Sequence, residues 1–453
     1  MARRFFDGDA RPELLSGKTI GVIGYGNQGR AQSLNLRDSG CRVIVGNIDD
    51  DYAVRARADG MDLMAIPEAV RQSDILLMLI PDEVQPVLYA REVAPNLKPG
   101  AVIAFASGYT IFFGLIDPAP THDVVMVAPR MLGDFVRTLY LTGEGFPTFV
   151  AAHRDVSGQA LEIAIALAHA IGGTKVGALE ATFEEETVLD LFLEQVLSPA
   201  GIAAYMQAFE LFTQRYGYDP EVVQLELYGS GEGAQAAEAT FRHGLLGSLA
   251  YESPTANFGT YTRLTEMLAQ SEAAKAEMDK TIREIRDGTF AKIWSRSSVS
   301  RERIAPLKEA ILKHPIFEVE QRTLAAIFGR REVVCDDERQ AVEAAVNAYL
   351  EAARQGRSAP LRGVLHPEAA SYGVVGGELV IDTAASLLAW LEETGPSPEL
   401  RGVISSLDIV GSVASAKVMI RNWAQDSYTD VLTLLKTADG WQIVSKAFHL
   451  QPG

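Results

Sequence analysis

The sequence predicts a multi-domain chain of three parts: a doubly wound α/β domain over residues 1–182, an all-α domain over 183–330, and an α+β domain over 336–453. Three observations carry this. Short apolar runs alternate with helix-like stretches up to about residue 182, the pattern of a parallel sheet with helices on both faces. From Glu184 onward the pattern is helical, with few β-branched runs. Beyond Arg331, two amphipathic helices precede alternating strands that end in GWQIVSKAFHL.

The first strand, Thr19–Ile23, is short, apolar and β-branched, so it reads as buried. It runs into Gly24-Tyr25-Gly26-Asn27-Gln28-Gly29 and then into the helical stretch RAQSLNLRDSG. A GxGxxG alone is weak evidence. Between a strand and a helix it is a dinucleotide fingerprint. Gly24 permits the tight turn, Gly26 lets backbone N–H groups approach a pyrophosphate, and Gly29 lets helix and strand pack closely. The phosphates are expected at the helix N-terminus. A second strand, Arg42–Val45, leads to Asn47, Asp49, Asp50 and Asp51, about 20 residues beyond the last glycine, where a ribose-binding acid belongs. Consecutive aspartates repel a 2′-phosphate, so NADH is expected over NADPH, although Arg55 and Arg57 lie close by.

Further strands are expected at Ile75–Leu79, Val102–Phe105, Val124–Val127 and Thr148–Ala151, with helices at Glu68–Gln72, Glu83–Val93 and Gly158–Ile171 between them. In the third part, helices are expected at Glu338–Arg354 and Ala384–Glu393. Strands follow at Leu407–Val410, Ala414–Arg421, Asp430–Thr437 and Trp441–Lys446, with Asp439-Gly440 as a hairpin turn.

The chain has 453 residues, 47% of them apolar, and a net charge of −18. No basic stripe offers itself to nucleic acid, so none is expected as a partner. Two cysteines, Cys41 and Cys335, stand far apart, which fits a reducing compartment. MARRFFDGDARPELL lacks the core of a signal peptide, and no apolar run is expected to span a bilayer. A cytoplasmic protein with no membrane partner is the expectation.

Several separated motifs carry a family resemblance: GYGNQGRAQSLNLRDSG, LIPDEVQPVLY, FASGYTIFFGLI, VMVAPRMLGDFVR, ATFEEETVLDLFLEQ, GYDPEV and SPTANFG. Over residues 5–330 the chain resembles ketol-acid reductoisomerase, which isomerises and reduces acetohydroxy acids. The resemblance implies a Rossmann domain followed by a knotted helical domain that builds a homodimer. It implies a site between them for a small-molecule substrate and magnesium. It places Pro81 and Gly108 with Gly24–Gly29 among the cofactor contacts. Asp190 matches the bridging metal ligand, Glu194 a ligand of the first ion and Glu226 a ligand of the second. Ser253 matches a substrate-contacting serine, so Glu226 and Ser253 line the substrate side. On a helix, Asp190 and Glu194 share one face, as two ligands of a hard cation must.

This sequence departs from the family pattern at three positions. Ser107 stands where the family has histidine, Arg130 where it has lysine, and Ser230 where a second glutamate follows Glu226. Arg keeps the charge but is not a proton donor at neutral pH. Ser230 removes a charge, so one Mg²⁺ is expected rather than two. Asp190, Glu194, Arg130 and Ser107 are the candidate catalytic residues. The tail resembles the cone-shaped nuclear transport factor 2-like superfamily, with His366, Trp441 and His449 as pocket candidates.

The leading expectation is an NADH- or NADPH-dependent reductase on this scaffold. It would act on a small keto acid, hydroxy-keto acid or imine in a specialised pathway. A full ketol-acid reductoisomerase is the alternative, with Glu185, Glu186 or Tyr109 compensating. A non-catalytic binder of a dinucleotide or small ligand is the third reading.

Overall fold

The computed structural model describes residues 2–295, 300–328, 336–375 and 378–451. The chain forms two compact units, residues 1–317 and 318–453. Cys335 lies outside the described residues.

The first unit is built on a nine-stranded sheet of order β1-β9-β8-β7-β6-β5-β2-β3-β4. Its strands are β1 (Arg4–Phe5), β2 (Thr19–Ile23), β3 (Arg42–Gly46), β4 (Asp62–Met64), β5 (Ile75–Met78), β6 (Val102–Phe105), β7 (Val124–Pro129), β8 (Thr148–Arg154) and β9 (Ala178–Glu180). The six expected strands all form. The short β1, β4 and β9 carry too few residues for a period to show.

The sheet departs from the all-parallel expectation at one side: β8 runs antiparallel to β7, and β1 antiparallel to β9. Alternate residues serve opposite faces. Ile20, Val22, Leu77 and Val125 pack under the helices Asn27–Asp38 and Ala160–Ile171. Ile23, Ile44, Met78 and Phe105 pack with the helix Ile66–Gln72 on the other face. Burial on both faces explains why these strands read as continuous apolar runs. The expected helix Glu83–Val93 forms as an α turn, Gln85–Leu88, followed by a wider π turn, Tyr89–Val93.

The helical part begins at Phe183. A Thr182–Glu185 capping box starts it: the Thr182 hydroxyl accepts from the Glu185 N–H, and the Glu185 carboxylate accepts from the Thr182 N–H. The run from Phe183 to Arg215 is continuous over 33 residues, and by length and composition it is apolar enough to cross a membrane. The expectation that no such run exists is therefore corrected. Little of its apolar stretch is buried within the chain, although its first turns carry Glu184, Glu185, Glu186 and Asp190.

The second unit is a six-stranded sheet of order β11-β10-β15-β14-β13-β12. The strands are β10 (Leu365–Val375), β11 (Glu378–Thr383), β12 (Arg401–Val410), β13 (Val413–Trp423), β14 (Asp426–Thr437) and β15 (Gly440–Gln451). The helix Asp336–Gln355 lays Val342, Val346, Tyr349 and Leu350 against Ala416, Val418, Leu432 and Ile443. The expected order, helices and then a meander, is wrong in one respect. The hairpin β10–β11 stands between the two helices, and β10 closes the sheet by pairing parallel to β15. The Asp439-Gly440 turn forms as expected, with Gly440 at φ 104°.

Candidate active site

Strands β2, β3, β5, β6 and β7 run parallel, so they end on one edge of the sheet. The glycine loop follows β2, Asn47 follows β3, Pro81 and Asp82 follow β5, Ser107 and Gly108 follow β6, and Arg130 follows β7. Residues far apart in sequence are thereby gathered at the edge where open α/β sheets bind ligands.

Backbone geometry explains the glycine loop. Gly24 has φ 94°, and a Cβ there would lie 2.6 Å from Ile80. A Cβ on Gly29 would lie 2.1 Å from the Gly24 carbonyl oxygen. At Gly26 a Cβ would meet nothing, which leaves the face of the loop open. Gly26 is the N-cap of the helix Asn27–Asp38, and no side chain satisfies the first N–H groups. An anionic pyrophosphate fits there. The Tyr25 N–H donates to Asn47 Oδ1 at 3.2 Å, and Gln28 Nε2 donates to the Met131 carbonyl at 3.0 Å. The cradle is thus tied to the β3 end and to the loop after Arg130.

The acidic turn divides its work. Asp50 caps the helix Asp51–Ala58 through the Ala53 N–H at 3.0 Å and accepts from Asn47 Nδ2 at 2.8 Å. Asp49 is exposed and pairs with Arg57 at 3.1 Å.

Beside the cradle lies a cluster of charge. Arg130 Nη1 donates to Glu186 Oε1 at 2.9 Å, and Nη2 pairs more closely with Asp190. The guanidinium also stands 5.2 Å from the centre of the Phe149 ring. Glu186 is 1% exposed, and its second oxygen accepts from the Gly108 N–H at 2.7 Å. Close approach at Gly108 makes this contact possible, since a Cβ there would lie 2.4 Å from the Phe183 carbonyl oxygen. The Ser107 hydroxyl accepts from the Tyr109 N–H at 3.2 Å and lies 3.5 Å from Glu186.

The carboxylates raise one another. Burial pushes Asp82 up to about 7, helped by Glu186, Glu83, Asp190 and Glu194. Burial raises Glu186, and Asp190 adds to this, while the Gly108 N–H and Arg130 pull it down. Partial burial and then Asp190 raise Glu194. A cluster with this excess of negative charge suits a hard divalent cation, so Asp190 and Glu194 fit magnesium by donor chemistry. The expected third ligand is not brought to them within one chain. Glu226 is exposed on the turn Leu225–Gly229, and among the described residues no three His, Cys or acidic side chains stand close enough to share a metal. Ser230 accepts locally from the Glu232 N–H at 3.3 Å. Ser253 caps the helix Pro254–Ala269 by accepting from the Ala256 N–H at 3.2 Å.

Asp82 was missed as a site residue by sequence reasoning, and Glu186 was named there only as a compensating residue of the alternative reading. Each had a visible signal: Asp82 directly follows Pro81, and Glu186 precedes Asp190 by one helical turn.

In the second unit, the pocket expectation is corrected. Trp441 Nε1 donates to Glu338 at 2.7 Å, His366 accepts from the nearby Glu368 N–H, and His449 is exposed. The buried polar centre is instead Tyr349, Asp430 and Lys446. Tyr349 donates to Asp430 at 2.6 Å, and Lys446 donates to Tyr349 at 3.0 Å. Lys446 also lies 5.0 Å from the Trp423 and Phe448 ring centres. The adjoining pocket has room for about one water molecule.

A doubly wound sheet with a glycine cradle and a carboxylate cluster on the same edge defines a nicotinamide-dependent oxidoreductase. Residues 14–177 match the family "Acetohydroxy acid isomeroreductase, NADPH-binding domain", and residues 183–329 match "Ketol-acid reductoisomerase, C-terminal domain". The chain is 41% identical over 332 residues to ketol-acid reductoisomerase (NADP(+)) of Pyrobaculum calidifontis, covering 73% of this chain and 100% of that one. The Pyrobaculum aerophilum enzyme is 40% identical over the same shares. A solved NADH-preferring ketol-acid reductoisomerase from an uncultured archean superposes with a TM-score of 0.65. It is 33% identical and covers 71% of this chain and 98% of that one. The chain belongs to the ketol-acid reductoisomerase family. Residues 337–449 match a family described as "Putative lumazine-binding". An NTF2-like protein of Shewanella baltica is similar to 27% of the chain, at 27% identity and a TM-score of 0.26.

Proposed function

We propose that this chain is a magnesium-dependent ketol-acid reductoisomerase that isomerises an acetohydroxy acid and reduces the product with NAD(P)H. The observation that carries the reading is the cluster Arg130–Glu186–Asp190 beside the open Gly26 cradle. Identity across the whole length of the Pyrobaculum enzymes weighs the same way and moves the balance from a specialised reductase to the family's own reaction.

Asp190 and Glu194 would hold the cation, which polarises the substrate oxygens when bound. Glu186 fixes the Arg130 guanidinium, and Arg130 in turn orients Asp190 and is placed to meet a substrate carboxylate. Asp82, held partly protonated near neutral pH, is the candidate proton donor at the sheet edge. The acidic Asp49–Asp51 turn supports NADH over NADPH.

The dimer belongs to the same reading. Phe241, Phe258, Met267 and Leu268 are 75%, 75%, 70% and 64% exposed in the single chain. A second copy would cover them and bring Glu226 and Ser253 to the substrate, in the knotted arrangement the resemblance implies. A cytoplasmic setting with a small-molecule substrate goes with this reading.

A second reading is favoured by Ser107, Arg130 and Ser230 together: reduction survives and skeletal migration does not. One assay separates the two. NADH oxidation is followed with Mg²⁺ and acetolactate, then with a simple 2-keto acid. Turnover of acetolactate to the dihydroxy acid supports the first reading. Turnover of the keto acid alone supports the second, and turnover of neither overturns both.

A further inference from the structure

At the sheet edge one permanently charged cation already sits on the aspartate expected to bind metal. The Arg130 guanidinium reaches Glu186 through Nη1 at 2.9 Å and Asp190 through Nη2. It is not a loose contact. Glu186 is almost fully buried and fixed from behind by the Gly108 N–H at 2.7 Å, while Phe149 supports the guanidinium at 5.2 Å. A planar fork anchored on one carboxylate is preorganised for the second. Asp190 therefore has an oxygen committed before any divalent cation arrives. Among the described residues, Glu194, the other donor of the pair, has no hydrogen bond or ion pair of this kind, and it is exposed on the turn Leu193–Leu197.

We propose that Arg130 competes with the divalent cation for Asp190, so that cation affinity in this chain is set by the guanidinium rather than by the carboxylates alone. The inference rests on the reading that Asp190 and Glu194 hold magnesium. It goes beyond that reading in assigning Arg130 as a positioning residue acting through Asp190. A lysine at 130 is a point charge on a flexible stem and can leave Asp190 while remaining near Glu186. The fork holds both nitrogens in one rigid plane, so it gives up Asp190 less readily while Nη1 stays on Glu186. Entry of the cation therefore has to release Arg130 from Asp190, which frees a guanidinium beside the place where a substrate carboxylate would sit.

The test is Mn²⁺ binding to the full chain, read from the electron paramagnetic resonance signal of the free ion. Wild type, R130K and R130Q are compared, with melting temperature and NADH binding as folding controls. R130Q is expected to bind Mn²⁺ about tenfold more tightly or better, the order set by losing one charge-assisted hydrogen bond on the ligand, with R130K between the two. Unchanged or weaker binding in R130Q overturns the competition. If neither wild type nor variants bind Mn²⁺, the metal reading fails and this inference fails with it. If wild type binds and R130Q does not differ, only this inference fails.

A second measurement needs no variant. Phenylglyoxal modification of Arg130, mapped by mass spectrometry, is expected to quicken when Mn²⁺ is added to wild-type protein. Protection, or no change in a sample that binds Mn²⁺, overturns the proposal.

Discussion

The Gly108 N–H donates to the buried Glu186 carboxylate at 2.7 Å, joining the end of β6 to the helix Phe183–Phe192. The sheet and the helical part meet at this bond. The other Glu186 oxygen orients Arg130, so one side chain sets the spacing between the cradle and the carboxylate pair. E186Q keeps the shape and removes the charge. It is expected to lower kcat by about 10–100-fold with NADH affinity unchanged, because a preorganised charge is lost and the cradle is not touched. E186A also leaves the Gly108 N–H unpaired in a buried place, a cost of about 1–3 kcal/mol in urea unfolding.

Asp82 supplies a pH signature. Its pKa in the folded chain is about 7, against an ordinary value of 3.8. The folded state therefore holds a proton that the unfolded chain has lost across that window. Stability contributed by this group is present below the window and falls as pH rises through it. The wild-type melting temperature is expected to drop relative to D82N between about pH 5 and about pH 8, by on the order of 2 kcal/mol expressed as stability. Parallel curves for the two proteins across this range would show that Asp82 titrates normally. Scanning calorimetry at several pH values makes the comparison.

The parts legible in the sequence are those with strong local periodicity. Thr19–Ile23 and Val102–Phe105 form with the expected limits because both faces are buried and their apolar runs are unbroken. The antiparallel course of β8 was not legible, since a strand's own residues do not encode its direction. The hairpin β10–β11 hid behind Pro367 and a mixed polar pattern that gains its meaning only from pairing with β15. In the site, Asp190 and Glu194 were picked out by the family resemblance, with their four-residue spacing only compatible with a shared helix face. Asp82 directly follows Pro81, but of the charges that raise it only Glu83 is its neighbour in sequence, while Glu186, Asp190 and Glu194 come from the helical part and are not legible from Pro81-Asp82-Glu83. The pocket histidines failed for the converse reason: their residue type suggested chemistry, while the fold left His449 exposed and His366 in a local turn.

The turn after β3 predicts cofactor choice residue by residue. Asp50 is engaged as a helix cap, so D50A is expected to cost about 1 kcal/mol of stability. Asp49 is exposed and, among the described residues, pairs with Arg57, so its charge is available to repel a 2′-phosphate. D49N is expected to improve NADPH binding relative to NADH by about three- to tenfold, the range for one partly screened charge and the released Arg57. Fluorescence titration with each cofactor measures the ratio. A ratio that does not move would place the 2′ position away from Asp49.

The C-terminal unit is held by a charge that burial disfavours. Lys446 is pushed below the ordinary lysine range by burial and is partly sustained by Asp430, which is 0% exposed and 3.4 Å away. Tyr349 bridges the two, and burial raises its own hydroxyl well above the ordinary tyrosine value. Removing one partner of such a pair is worse than removing both, because the survivor is left charged without compensation. K446M is therefore expected to cost about 3–5 kcal/mol in urea unfolding, read from the fluorescence of Trp390, Trp423 and Trp441. Adding D430N to K446M removes the orphaned charge while keeping an acceptor for the Tyr349 hydroxyl. The double variant is expected to recover about half of the loss or more. If the double variant were less stable than K446M alone, the Asp430 carboxylate would be satisfied by something other than Lys446, and the aromatic cage around the ammonium would have to carry the stability by itself.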